Sequence, residues 1–181
     1  MYSRWILAAC MWFTLISIAG CLRVLSLDYH ASNSVKGQGA VHVALFRYQA
    51  ADEQRVRPHE VENPPCSEAK LFLSEPIGVV FSQALQSELV RSGYVIQESS
   101  LRTISGVIAR FYLDWTKEME RTFELKVTYE VQSNGRQPFS WSCSFVKSGT
   151  NMLAEDAILI KAGIADCIAR FLLAAQEAQA L

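Results

Sequence analysis

Residues 107–115, 123–131 and 139–145 alternate apolar and polar side chains with period two, and that pattern constrains the fold more than anything else in the chain. The odd positions are Val107, Ala109, Phe111, Leu113 and Trp115, then Phe123, Leu125, Val127, Tyr129 and Val131, then Phe139, Trp141, Cys143 and Phe145. The even positions include Arg110, Tyr112 and Asp114, then Glu124, Lys126, Thr128 and Glu130, then Ser140, Ser142 and Ser144. Three such runs in succession predict an antiparallel meander with one apolar face and one wet face. Directly opposed residues share a face. A two-residue turn at Asn134-Gly135 sets Tyr129 against Ser140 and mixes the faces. An odd-membered loop sets Val131 against Phe139 and Tyr129 against Trp141. The sequence therefore predicts a three- or five-residue loop around Gly135, or a bulge, in place of the tight turn.

A sheet with one apolar face needs a cover. Ile77, Phe81, Leu85 and Leu89 recur at helical spacing, with Ser74 or Glu75 as cap, Pro76 in the first turn and Gly93 as terminator. Residues 152–176 predict a longer helix whose stripe is Leu153, Ala157, Ile160, Ile164, Ile168, Phe171 and Ala175. Residues 41–46 read as a central strand, and Tyr94-Val95-Ile96 as a short one. The fold class expected is α+β: a two-layer α/β sandwich in the order β-α-β-β-β-β-α, mostly antiparallel, with both helices on one face. Residues 47–71 carry Pro58, Pro64 and Pro65 and read as a polar surface excursion. Glu88 falls in the apolar sector of the first helix, where a carboxylate needs a partner. Arg91, three residues on, is the obvious one.

The chain begins with one positive charge at Arg4, an apolar run over 5–18 and small residues thereafter. Ile18-Ala19-Gly20-Cys21 resembles the bacterial lipobox. In that motif the peptidase reads Ile18, Ala19 and Gly20, cuts before Cys21, and the Cys21 sulfur carries diacylglycerol. The domain plan expected is a signal over 1–20, a lipidated N-terminus and flexible tether over 21–39, and a single α/β domain over 40–181. The mature chain keeps 16 basic and 18 acidic residues, a net charge of −2. It has no basic surplus for phosphates, so nucleic acid is excluded as a partner. Membrane attachment is expected through the lipid on Cys21. Residue 22 is leucine, not the aspartate that retains enteric lipoproteins in the inner membrane. The expected location is therefore the periplasmic face of a Gram-negative outer membrane.

Cys66, Cys143 and Cys167 remain in an oxidising compartment. Cys143 and Cys167 are either small core residues or a disulfide, since both fall on inward faces. The mature histidines are His30, His42 and His59, and the serines lie along a solvent-facing strand. No catalytic residues, no cofactor and no metal site are expected. His59, Glu62 and Cys66 come near one another in sequence, but without the repeated ligand pairs of a zinc site.

The lipobox, the early Val-x-Val strand at Val41, and the run 84–94 ending Ser92-Gly93-Tyr94, followed by a meander and a closing helix, resemble the YajG-type family of bacterial outer-membrane lipoproteins. More distantly the chain is similar to auxiliary lipoproteins of ABC-type transport systems and to the TolB N-terminal domain. The resemblance implies a non-enzymatic lipoprotein that binds or scaffolds an unidentified envelope protein. The alternative is an accessory transport subunit handling a hydrophobic ligand, which needs an apolar cavity between helices and sheet. Two surfaces are candidate partner sites. One is the polar sheet face with Arg110 and Tyr112. The other is the outer side of the last helix, where Leu159 and Leu173 are expected to face solvent and to allow a homo-oligomer.

Overall fold

A computed structural model describes residues 22–64, 70–117, 120–150 and 153–181. The predicted meander is its centre: β6 (Arg102–Lys117), β7 (Glu120–Ser133) and β8 (Phe139–Thr150) pair antiparallel. Val131 lies opposite Phe139 and Tyr129 opposite Trp141. Residues 134–138 connect the two strands, an odd-membered loop with Gly135 at φ 75°. The short strands β2 (Gly39–Val43), β3 (Arg47–Tyr48) and β5 (Tyr94–Ile96) extend the sheet in parallel, in the order β5-β2-β6-β7-β8, with β3 also beside β6.

Two main helices, α2 (Ile77–Ser92) and α3 (Leu153–Glu177), cover one face. A four-residue turn of helix, α1 (Gln49–Asp52), precedes them. The architecture is thus α+β, a mixed and mostly antiparallel sheet under two helices. Pro76 itself occupies the N-cap of α2, without a side-chain cap bond. Gly93 ends it in the left-handed conformation at φ 103°. The core between the layers is aromatic. Tyr129 stacks on Phe171 at 4.1 Å and near-parallel, Trp141 leans on both, and Phe111, Phe123 and Phe145 continue the row. Each such side chain contributes on the order of 1.5–3 kcal/mol when fully buried.

Three sequence expectations change here. The inward phase of β6 is not odd throughout. A bulge at Ala109 shifts the register between Ile108, opposite Val127, and Arg110, opposite Lys126. Before it the even residues Ile104 and Ile108 are buried; after it the odd residues Phe111 and Leu113 are. Val107 and Ala109 therefore leave the core face.

Residues 47–71 are not a surface excursion. They supply β3, α1 and a fully buried Val61, and lead into β4 (Lys70–Leu73). Glu60 bridges Phe72, and Glu62 bridges Tyr112. The backbone's own hydrogen bonds thus tie the prolines' neighbourhood to the sheet.

Residues 22–39 are not a free tether. Leu22–Leu25 form β1, which pairs in parallel with β4 as a separate two-stranded ribbon. The following residues run as a strap over the helices.

Candidate functional site

The strap is held by a buried carboxylate. Glu88 is fully buried on α2, and the donors that reach its side chain come from the strap. Tyr29 Oη donates at 2.6 Å, the Ser32 amide at 3.0 and 3.1 Å, the Asn33 amide at 3.1 Å and Asn33 Nδ2 at 2.5 Å. This array resolves the carboxylate's desolvation without a cation. The expected partner, Arg91, instead donates to the Asn33 carbonyl at 2.9 Å, because its side chain leaves the helix on the solvent side. Burial, with the hydrogen bond to Glu88 next in weight, holds the Tyr29 phenol well above its ordinary pKa, so it stays a donor.

Further along, the Gly37 amide donates to the Ser92 carbonyl at 2.8 Å and Gln176 Nε2 to the Lys36 carbonyl at 2.5 Å. A Cβ on Gly37 would lie 2.2 Å from the Tyr94 ring, so only glycine lets the strap pass there. The strap thus joins both helices along their length. Open clefts flank it. One of about 430 Å³ is lined by Ser32, Asn33, Val35, Asp166, Ala169 and Leu173, and one of about 180 Å³ includes Tyr29, Val80, Ala84 and Ser87.

A second polar cluster lies beneath residues 53–62. Glu62, 5% exposed, takes Arg55 Nη1 at 2.5 Å and the Phe111 amide at 3.1 Å, with Arg110 Nη1 at 3.8 Å. Glu60 takes Lys70 Nζ at 2.7 Å, and its carbonyl accepts Tyr48 Oη at 3.2 Å. Burial and then the Glu62 charge push the Tyr48 phenol well above its ordinary value. Arg110 stacks on the Tyr112 ring at 4.0 Å and reaches Glu124 at 3.3 Å. Both residues named as a partner surface are therefore half-buried and committed to neighbours, which leaves them less adaptable than a free face.

The disulfide alternative is the one the structure contains: Cys143 and Cys167 are joined, their Cα atoms 5.6 Å apart, stapling β8 to α3. Arg170 Nη2 lies 3.0 Å from Cys143 Sγ and pairs with Asp166. Cys143, Asp166 and Cys167 cluster closely enough to suggest ligands, but a disulfide offers no thiolates to a metal.

Leu159 does not face solvent. It is 4% exposed and packs over Gly149 at the end of β8. The buried sector of α3 is broader than one stripe, taking in Asp156, Leu159, Ile160, Ile164, Cys167, Ile168, Phe171 and Leu172, because β8 runs alongside the helix from Gly149 near Leu159 to Trp141 at Phe171. Leu173 is half-exposed, at the cleft beside the strap.

His30 pairs with Asp28 in the open, His42 sits on β2, and His59 packs on the Phe72 ring. They do not converge with a serine and an acid. Glu62 is already engaged, and Cys66 lies outside the described residues, as do Ile18, Ala19, Gly20 and Cys21. No helix among the described residues is long and apolar enough to cross a membrane.

No family model and no curated protein matches the chain. Solved structures do. Protein XCC0632 from Xanthomonas campestris, of the DUF330 family, is 8% identical with a TM-score of 0.64, over 88% of this chain and 99% of its own. A second crystal structure, of an uncharacterized protein, is 10% identical with a TM-score of 0.58, over 84% and 97%. Rare lipoprotein B from Shewanella oneidensis is 8% identical with a TM-score of 0.46, over 79% and 96%. The likeness is one of fold. At these identities it carries no activity or partner across.

Proposed function

We propose that this chain is a lipid-anchored envelope lipoprotein acting, without catalysis, as a partner-binding or assembly module on the periplasmic side of the outer membrane. The observation that carries the reading is Ile18-Ala19-Gly20-Cys21 standing directly ahead of a folded body. In support, the histidines, serines and acids of the described residues form no nucleophile–base set. The YajG-type resemblance of the sequence is consistent with this role, as is a fold shared with the DUF330 protein. The rival, a transport subunit that encloses a hydrophobic ligand, is disfavoured by the interior. Phe111, Phe123, Tyr129, Phe145 and Phe171 fill the layer between helices and sheet, and the clefts beside the strap open outward on the surface.

Cys21→Ser tests the reading. It is expected to abolish palmitate labelling and to leave a precursor uncut before residue 21, while the native protein fractionates with the outer membrane. Labelling of the variant at the native level, or native protein found only with the inner membrane, overturns it.

A further inference from the structure

Only the Cys21–Leu22 peptide separates the position read as lipid-bearing from the folded body. β1 begins at Leu22, the residue that follows Cys21 in the sequence. That strand is no loose end. Leu22, Arg23, Val24 and Leu25 pair in register with Lys70, Leu71, Phe72 and Leu73, and the Leu25 carbonyl accepts the Ser74 amide at 3.0 Å. The strap beyond is fastened to Glu88, Ser92 and Gln176. A flexible linker lets a domain turn freely above its anchor. Residues 22–39 have no such slack.

We propose that the anchored domain is held on the bilayer in one orientation, with the β1–β4 ribbon seated in the phospholipid headgroup layer. The proposal rests on the lipidation reading above. Its occupant is the bilayer that receives the lipid of Cys21, and the ribbon's surface suits it. Arg23 and Val24 are successive strand residues, so they project to opposite sides, and both are exposed, Val24 by 63%. Arg23 makes no ion pair among the described residues, which leaves its guanidinium for headgroup phosphates. Lys70, in register with Leu22 and 56% exposed, adds a second cation on the same ribbon beside Glu60. The far end of the sheet is remote. Glu62 bridges Tyr112 next to the ribbon. Arg102, at the start of β6, is ten residues away along the strand, about 33 Å. Leu101 there is 74% exposed and points to the periplasm in this orientation.

The test uses the full lipidated protein in vesicles of phosphatidylethanolamine and phosphatidylglycerol. A photoreactive benzoylphenylalanine replaces Lys70 in one variant and Leu101 in another, with Arg57, stacked on Phe72, as a second ribbon-side position should the Lys70 variant misfold. Flotation with vesicles reports lipidation; lipid adducts on floated protein report orientation. Position 70 is expected to give at least about fivefold more lipid adduct than position 101, which lies about 30 Å farther from the anchor. Inserting about twenty Gly/Ser residues between Cys21 and Leu22 should bring the ratio near one, since such a linker spans about 25 Å. Equal adducts at 70 and 101 on floated protein of native spacing overturn the orientation and leave lipidation standing. A ratio that survives the insertion overturns the short tether as the cause of the orientation and assigns it to the ribbon's own affinity for headgroups. Protein that does not float overturns the lipidation reading, and the orientation falls with it.

Discussion

Glu88→Ala isolates what fastens the strap. The substitution removes the acceptor of four donor groups: Tyr29 Oη, the Ser32 and Asn33 amides and Asn33 Nδ2. Hydrogen bonds to a charged acceptor are worth roughly 1.5–3 kcal/mol each, a gross loss of about 6–12 kcal/mol. The full sum will not be measured, because the strap lies at the surface. It can lift, and its donors then regain water. The loss is capped by the free energy with which the strap docks, and we expect about 3 kcal/mol in urea unfolding of the lipid-free mature chain. Glu88→Gln should be no milder. Its one oxygen serves fewer donors, and its amide sets N–H against N–H. Hydrogen exchange locates the effect: the Ser32 and Asn33 amides should lose protection in Glu88→Ala while β7 amides follow only the global change. A variant within about 0.5 kcal/mol of the parent, with those two amides still protected, refutes the assignment of Glu88 as the latch.

Reduction of Cys143–Cys167, which closes a separation of 24 residues, should cost about 3 kcal/mol. Dithiothreitol should lower the melting temperature of the parent and leave the double Cys→Ser variant unmoved. Asp156→Asn breaks the buried pair with Arg121 and should cost about 3–5 kcal/mol, whereas Arg121→Met with Asp156→Leu should cost much less; denaturant midpoints decide. The hydrogen bond from Lys126, with Arg110 nearby, holds the Glu124 carboxyl below its ordinary range. Its stabilisation is therefore present above the unfolded value and is lost as pH falls through the lower folded value. Glu124→Gln should accordingly be less stable than the parent near pH 7 and equal to it near about pH 2.

The meander was legible because its information is periodic and local. Alternation alone placed Val131 against Phe139 and Tyr129 against Trp141. The bulge at Ala109 lay hidden inside the same pattern, although Ile104 and Ile108, apolar at even positions, carried its signal. Leu159 was misplaced for a different reason. A helical wheel drawn around one stripe leaves Leu159 outside, whereas the end of β8 at Gly149 reaches it. The strap was the hardest element to foresee, since an extended segment that follows the surface of two helices needs no period of its own. Its one trace was indirect: a glutamate on the apolar face of α2 requires donors, and they came from about 55 residues upstream rather than from the next turn.

That separation also sets an order of events. The strap's fastenings reach 133 residues forward to Lys161 and 140 to Gln176, both on α3. Synthesis from the N-terminus exposes residues 22–36 long before α3 exists to receive them. In that interval the strap is an accessible leash and, on the lipidation proposed above, Cys21 is open to the enzymes that would process it. Closure of the strap then withdraws it. The fold thereby separates in time two states of one segment, pliant while the chain is being made and fastened once α3 is in place, and loop closure over such distances makes the second state the slow one.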